Sequence, residues 1–376
     1  MHISAAFDSG NIEIIDTSDP SAVRLAIRKD TNSDFFQWFH FRAVGVRATP
    51  CAFRIENAGA ASFTRGWEDY RAVASYDRID WFRVPAQYDG EVLTIRHTPE
   101  RDAVYYAYFA PYSGERHADA MARYQTSPRI AHAVLGQTLD GADLDLLIVG
   151  EPGTGKPVCW TIGRQHPGET QASWWMEGFL DRLSDEADPV ARAVLDMAVL
   201  YVVANMNPDG SRRGNLRVNA AGANLNREWA EPSMETSPEV YLTRECMRAT
   251  GVDFCLDVHG DEALPYIFIA GAGGIPSLSD RQVALKKTYD AALMRASPDY
   301  QTEKGYPSAP PGKGNLTMCS SHVAEHFGAL SMTLEMPFKD NANASDPRHG
   351  WSPDRCRRLG AAGLDALLAV VADLRD

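Results

Sequence analysis

Two imidazoles and a carboxylate are spaced along this chain in a pattern that could hold one metal ion. His166 and Glu169 stand three residues apart, between a strand-like run and a helix-like run, and His259 lies about ninety residues further on, at the end of another strand-like run. Two His and one Glu, with a fourth position left for water, are the ligands of a catalytic zinc, whereas a structural zinc more often uses Cys. The sequence has no Cys-x-x-Cys pair, so we predict one catalytic Zn²⁺ per chain.

Alternating strands and helices should position these side chains. From about residue 120 onward, apolar strand-like runs occur at 143–149, 158–162, 199–204, 253–258, 266–270 and 329–334. The clearest helix follows Glu169 over residues 171–183, where one apolar face recurs at helical spacing: Ala172, Trp175, Met176, Phe179, Leu180 and Leu183. The pattern predicts an α/β domain with helices covering a sheet. In such sheets, ligands gather beyond the carboxyl ends of strands, where the candidate residues stand.

The first part of the chain has a different character. Residues 1 to about 115 carry aromatic clusters such as the one at 35–41, separated by turn signals at 56–59 and 89–90. Short β segments without a helical period predict a sandwich. We therefore predict an all-β sandwich domain over residues 1–117, followed by an α/β domain over residues 118–376.

Five sequence blocks resemble a known family. They are GRQHPGET at 163–170, NMNPDGSRRGNLR at 205–217, GANLNREW at 222–229, DVHGD at 257–261 and LEMPF at 334–338. They are similar to the zinc carboxypeptidases of the carboxypeptidase A type, and more closely to the cytosolic carboxypeptidase branch and its bacterial relatives. The resemblance implies a catalytic domain with a mixed sheet covered by helices, zinc on His166, Glu169 and His259, and a preceding β-sandwich that includes FAPYS at 109–113.

Glu335 is the expected general base. Hydrolysis needs a carboxylate that accepts a proton from the attacking water and passes it to the leaving amine. Glu335 stands between Leu334 and Met336 in an apolar strand pattern, where a charged group is costly to bury without a role. Glu325 and Glu262 are alternative candidates for the base. The alternative without a catalytic role is that Glu335 is a carboxylate on a solvent-facing side of the strand.

Three residues are expected to handle the substrate. The resemblance implies that Arg217 stabilises the oxyanion forming on the scissile carbonyl, and that Asn226 and Arg227 grip the free C-terminal carboxylate. Arg suits the grip on the terminal carboxylate because its planar fork donates two parallel hydrogen bonds to a carboxylate. Asn224 stands where many family members have an Asp that accepts a hydrogen bond from a ligand imidazole, and its carbonyl can accept the same bond.

Three further expectations concern the surroundings of the site. Gly168 should allow backbone angles that a larger residue would resist. The family's mobile tyrosine corresponds to either Tyr306 or Tyr266. Residues 150–157 nearly spell a phosphate-binding loop, but Pro157 replaces the required Ser or Thr and a strand-like run follows, so we interpret them as a Gly-rich β-hairpin turn.

Composition limits the partners and the compartment. The chain has 376 residues, 44% of them hydrophobic and 23% charged, which is typical of a soluble globular protein. The net charge of −13 disfavours nucleic acid and anionic membrane surfaces. No secretory signal and no membrane-spanning run are expected, and the six scattered Cys indicate free thiols. We expect a cytoplasmic protein.

These observations predict a zinc metallocarboxypeptidase that hydrolyses the C-terminal peptide bond of peptides or proteins. Removal of C-terminal glutamates, known in eukaryotic members, is not carried over, because the only candidates for a basic pocket are Lys304 and Lys313. One alternative is an amidohydrolase that deacylates N-acyl amino acids with the same zinc and Glu335. The other is a catalytically silent binding protein that uses its N-terminal sandwich.

Overall fold

The computed structural model describes residues 1–375 and divides them between an all-β part and an α/β part. Ten strands come first in the chain: β1 His2–Ser4, β2 Glu13–Asp16, β3 Val23–Ala26, β4 His40–Val44, β5 Cys51–Ile55, β6 Ala72–Ser75, β7 Phe82–Val84, β8 Ala86–Tyr88, β9 Leu93–His97 and β10 Ala103–Ala107. They form two five-stranded sheets, in the orders β1-β4-β10-β6-β7 and β2-β3-β5-β9-β8. The predicted all-β sandwich is confirmed.

Aromatic side chains fill the space between these two sheets. Phe41 and Tyr106 extend from the first sheet, Phe53 from the second, and the Phe53 ring lies 5.4 Å from Phe41 and 4.8 Å from Tyr106 between centroids. All three are fully buried. The aromatic clusters of the sequence are therefore the core of the sandwich, because large rings bury the most apolar area per residue.

The remaining elements alternate between strands and helices, as predicted. They are α1 Gly114–Tyr124, β11 Ile130–Gln137, β12 Asp143–Val149, β13 Val158–Gly163, α2 Gln171–Ser184, α3 Pro189–Met197, β14 Val199–Val203, α4 Pro208–Arg213, α5 Pro238–Thr250, β15 Phe254–Asp261, β16 Phe268–Gly271, α6 Asp280–Ala296, α7 Cys319–Phe327, β17 Leu330–Pro337 and α8 Pro353–Val371. The boundary at 117/118 falls within α1 and remains a prediction.

One seven-stranded mixed sheet carries this part of the chain, in the order β11-β12-β14-β13-β15-β17-β16. The strands β14, β13, β15 and β17 are parallel neighbours, and the outer strands pair antiparallel. Alternate residues of β15 enter different cores: Phe254 and Leu256 pack in the core shared with the sandwich, and Cys255 packs in the core on the opposite face. Helices therefore cover both faces of the sheet, as predicted.

The interpretation of residues 150–157 as a β-hairpin turn was wrong. This segment joins β12 to β13, but β14 lies between those two strands in the sheet. The turn is therefore a connection between non-adjacent strands. The dismissal of a phosphate-binding loop holds, because strand β13 follows directly where that motif requires a helix.

Helices α2 and α8 cross with their backbones in contact. A Cβ atom on Gly178 would lie 1.9 Å from the carbonyl oxygen of Arg357, and one on Gly360 would lie 2.0 Å from that of Trp175. Only glycine allows so close an approach. The predicted apolar face of α2 is buried in this packing. Because α2 begins two residues after Glu169, the packing of α2 against α8 helps to fix the position of the candidate site.

Candidate metal centre and active site

The structure brings the three predicted metal ligands together. His166 and Glu169 lie in the turn between β13 and α2, and His259 lies near the end of β15. One ligand atom from each lies within 4.8 Å of the others, and all three residues are buried. Two nitrogen donors and one oxygen donor at these separations could hold a zinc ion.

Gly168 has a different function from the one expected. Its φ angle is not in the left-handed region that favours glycine. A Cβ atom there would lie 3.0 Å from the carbonyl oxygen of Leu216, to which the Gly168 N–H also donates a hydrogen bond of 2.9 Å. Glycine is therefore required by close contact, which ties the ligand turn to the segment that carries Arg217.

The carboxylate of Glu169 is the electrostatic centre of the cluster. Its Oε1 lies 2.7 Å from Nδ1 of His166, and its Oε2 lies 2.7 Å from Nδ1 of His259 and accepts the Gly260 N–H at 3.0 Å. Burial opposes its ionisation, but the two imidazoles outweigh burial and lower the pKa of Glu169. Glu169 is therefore anionic, the form a metal ligand requires.

The two imidazoles differ in protonation. Burial, helped by the charge of Arg217, lowers the pKa of His166 to about 3, so this ring is neutral. Burial also disfavours protonation of His259, but the neighbouring carboxylates of Asp257 and Glu169 outweigh it and raise the pKa well above the usual value. Binding of a metal would therefore displace a proton from His259.

The outer nitrogen of each imidazole has a fixed oxygen partner. His166 Nε2 lies 3.0 Å from Oδ1 of Asn224, so the amide fills the expected place of a carboxylate. His259 Nε2 lies 2.8 Å from Oδ2 of Asp257, which also accepts a 2.6 Å hydrogen bond from Gln165. Such partners orient ligand rings and fix their tautomers. The sequence reasoning missed Asp257, although its position two residues before His259 puts both side chains on one face of a strand.

Glu335 lies beside the cluster. In the parallel pairing of β15 and β17, Glu335 is the register partner of His259. The side chain is buried, and its Oε2 has no hydrogen-bond partner within residues 1–375. Burial raises the pKa of Glu335 well above its usual range. A raised pKa makes the ionised form of this carboxyl group a stronger base, and its free oxygen can accept a proton from a water molecule at this position.

The two arginines lie in different environments. Arg217 is largely buried, its Nη1 lies 3.5 Å from Oε1 of Glu169, and its guanidinium stacks 5.3 Å above the ring of Phe63. Arg227 ends the short 3₁₀ turn Leu225–Arg227, is exposed, and donates a 2.6 Å hydrogen bond to the Asn226 carbonyl. Arg217 is therefore held at the cluster, whereas Arg227 faces solvent.

Asn226 is buried beside His259. Its Oδ1 accepts the backbone N–H of Cys319 at 2.9 Å, and its Nδ2 lies 3.4 Å from Nε2 of His259. The carbonyl oxygen of the amide is therefore occupied within the protein. Only its amide nitrogen remains to contact a substrate.

A cavity of about 890 Å³ opens beside Glu335. Thr333, Tyr306, Lys304 and Lys313 are among its lining residues. The Tyr306 hydroxyl donates to Asp261, and its ring packs edge-on against Phe268 with 4.9 Å between centroids. Tyr306 rather than Tyr266 thus borders the cavity, and both lysines considered from sequence reach it.

Comparisons with known proteins agree with this geometry. The family model of the zinc carboxypeptidases matches residues 117–341, and that of the cytosolic carboxypeptidase N-terminal domain matches residues 3–109. This chain belongs to the zinc carboxypeptidase family. The resemblance drawn from the five sequence blocks is confirmed.

Individual proteins are also similar to this member of the zinc carboxypeptidase family in sequence and structure. An uncharacterized protein of Zymomonas mobilis is 47% identical over 376 residues, which is 100% of this chain and 97% of the relative. A metallo-carboxypeptidase from Pseudomonas aeruginosa, solved in complex with (2-guanidinoethylmercapto)succinic acid, is 45% identical with a TM-score of 0.97 and full coverage of both chains at 100%. Mouse cytosolic carboxypeptidase 6 is 28% identical over 72% of this chain, which spans 55% of that protein.

Two expectations about the chain as a whole can also be compared with the structure. All six cysteines are free thiols. None of the helices within residues 1–375 has the length and apolarity that crossing a bilayer requires.

Proposed function

We propose that this protein is a zinc-dependent metallocarboxypeptidase that hydrolyses the C-terminal peptide bond of peptides or proteins. The observation that carries the proposal is the convergence of His166, Glu169 and His259 beside a buried carboxylate with a free oxygen, Glu335. The family model supports it with more than half of the chain.

The residues present fit a zinc ion. The cluster offers two imidazoles and one carboxylate whose ligand atoms lie within 4.8 Å of one another, and these are donors that zinc commonly takes. His166, Glu169 and His259 would hold one ion per chain. A zinc ion held by three protein ligands activates water near neutral pH and polarises carbonyl groups as a Lewis acid.

The protein's own side chains would transfer the proton, stabilise the oxyanion and bind the substrate. Glu335 accepts a proton from the attacking water and delivers it to the leaving amine. Arg217 donates hydrogen bonds to the scissile carbonyl oxygen as negative charge develops there. Arg227, which is exposed, pairs with the terminal carboxylate of the substrate, and the amide nitrogen of Asn226 adds a donor. The cavity at Glu335 receives the last side chain.

The substrate and the compartment follow from the same considerations. We assign a peptide or protein C-terminus as the partner, and the cytoplasm as the location. The free cysteines and the similarity to cytosolic carboxypeptidases support the cytoplasmic assignment.

A substrate panel tests the function. The zinc-loaded protein is incubated with peptides that end in a free carboxylate, with the same peptides as C-terminal amides, and with N-acyl amino acids. We expect loss of single C-terminal residues from the free peptides only, detected by mass spectrometry and abolished by a chelator. Cleavage of N-acyl amino acids alone would identify an amidohydrolase, and no turnover of any substrate would indicate a binding protein.

A matched pair of arginine variants tests the assignment of Arg227. Arg227→Ala should raise KM for free peptides, because the terminal carboxylate loses its partner. Arg248→Ala is the control, since Arg248 is an exposed arginine paired with Glu245 on α5. An unchanged KM for Arg227→Ala would remove this residue from the substrate site.

A further inference from the structure

Asp30 lies in the β-sandwich part of the chain, between β3 and β4, yet it binds the segment that carries Arg217. Residues 214–224, here called the arginine loop, contain no regular helix or strand before the 3₁₀ turn. The Asp30 carboxylate accepts the backbone N–H groups of Leu216, Arg217 and Val218 at 2.6, 2.6 and 3.2 Å. These bonds fix the backbone at Arg217 and at both of its neighbours.

Asp30 has the properties of a dedicated anchor. It is 4% exposed, and among residues 1–375 every hydrogen bond that its carboxylate accepts comes from the arginine loop. Hydrogen bonds from N–H groups to a carboxylate are shorter and stronger than those between neutral groups. Burying a carboxylate is unfavourable unless such partners compensate. The Asp30 carboxylate therefore holds the loop through three backbone hydrogen bonds.

Other residues of the sandwich region hold the same loop and its arginine. Asn11 donates to the carbonyl of Gly214 at 2.9 Å, and the Thr31 N–H donates to Asn215 at 3.3 Å. Phe63 lies under the Arg217 guanidinium at 5.3 Å, a cation–π contact that orients the planar group. The backbone and the side chain of Arg217 are thus both positioned from the N-terminal region.

We propose that Asp30 is a positioning residue for catalysis, acting through the arginine loop to hold Arg217 at the scissile carbonyl. This inference rests on the proposed function of Arg217. The N-terminal β region thereby becomes part of the active-site structure. Donors aimed at a developing oxyanion work only when they are held in place before the reaction.

Asp30→Asn tests the proposal. An asparagine offers a single acceptor oxygen, and its NH₂ group would face N–H donors of the loop. We expect kcat for a free peptide to fall about 10- to 100-fold with little change in KM, because the lost interaction acts in the transition state. Asp34→Asn is the control, since the Asp34 side chain is 96% exposed and paired only with Lys29.

A double-mutant cycle separates positioning from a general loss of structure. In an Arg217→Ala background, Asp30→Asn should lower kcat less than about 2-fold further, because no guanidinium remains to be positioned. Zinc content and melting temperature are measured on each variant. A full Asp30→Asn effect in the Arg217→Ala background, or wild-type kcat in folded Asp30→Asn, would overturn the proposal.

Two further results would distinguish the role of Asp30 from that of Arg217. If Asp30→Asn does not fold, Asp30→Glu, which keeps the charge but displaces the carboxylate from the loop, replaces it in the same cycle: non-additivity with Arg217→Ala supports positioning of Arg217 by Asp30, and additivity overturns it. Wild-type kcat in Arg217→Ala itself would refute the function proposed for Arg217. A lowered kcat in Arg217→Ala together with wild-type kcat in Asp30→Asn would instead refute only the role of Asp30.

Discussion

Replacing Glu335 with Gln separates proton transfer from folding and from metal binding. The amide has the shape of the carboxyl group, and Oε2 of Glu335 makes no hydrogen bond within residues 1–375 that the substitution could break. Glu335 is also outside the cluster of three ligands. The Gln variant should therefore fold normally and retain zinc.

The expected loss lies in turnover. General acid–base catalysis typically contributes about 10²- to 10⁴-fold to a rate. At about 1.4 kcal/mol per factor of ten, removing the base raises the barrier by about 3–5 kcal/mol. Because the substitution breaks no hydrogen bond, it should alter the free energy of unfolding by less than about 1 kcal/mol. The expected change in the activation barrier is therefore several times larger than the expected change in the free energy of unfolding.

The assay measures kcat on a C-terminally free peptide, zinc per chain by mass spectrometry and substrate binding by calorimetry. Glu325→Gln serves as the control, since Glu325 accepts hydrogen bonds from Ser277 on the surface. Glu262→Gln tests the nearest rival, a buried carboxyl whose pKa is raised to about 8 by burial and by the charge of Glu169. Turnover of Glu335→Gln within tenfold of the wild type would refute the assignment, and a selective loss in Glu262→Gln would transfer it to Glu262.

Three further predictions use other parts of the structure. His259→Ala removes one of three ligands and should lower zinc content sharply; retained stoichiometric zinc would show that the third ligand is another residue. Burial raises the pKa of Glu239 from 4.5 to about 7, so the folded protein keeps a proton that the unfolded chain releases, and stability falls by about 3 kcal/mol as pH rises from below 4.5 to above 7. Glu239→Gln should remove that loss in urea unfolding at pH 5 and pH 8, and an equal pH dependence in both proteins would contradict the reasoning. Gly178→Ala should lower the free energy of unfolding by about 1–3 kcal/mol through the clash with α8, whereas Gly153→Ala, where a Cβ meets nothing closer than 3.5 Å, should change it little; equal effects would argue against backbone contact at the crossing.

The strands of the α/β part could be predicted because buried parallel strands are continuous apolar runs. The run predicted at 253–258 is strand β15, but the strand extends to Asp261. Its last residues, His259, Gly260 and Asp261, are not apolar, yet they continue the ladder with β17. Hydrophobicity shows where a strand is buried, whereas hydrogen bonding determines where it ends.

The pairing of strands and the distant contacts of the site could not be predicted. Nothing near residues 150–157 shows that β14 inserts between β12 and β13, because that pairing involves a segment about fifty residues away. The hydrogen bonds that Asp30 accepts span 186 to 188 residues and follow no spacing rule. Spacing could predict that His166 and Glu169 lie close together because they share one turn, but Asp30 shares no element with Arg217.

The pairing of His259 with Glu335 on adjacent parallel strands has a consequence for how such an enzyme can diverge. Neighbouring strands lie about 4.8 Å apart whatever their sequence, so the spacing between these two side chains is set by the sheet. The segments around the mouth of the cavity can lengthen, shorten or exchange residues without disturbing that spacing. Under the proposed function, selectivity can therefore change in evolution while the relative position of His259 and Glu335 stays constant.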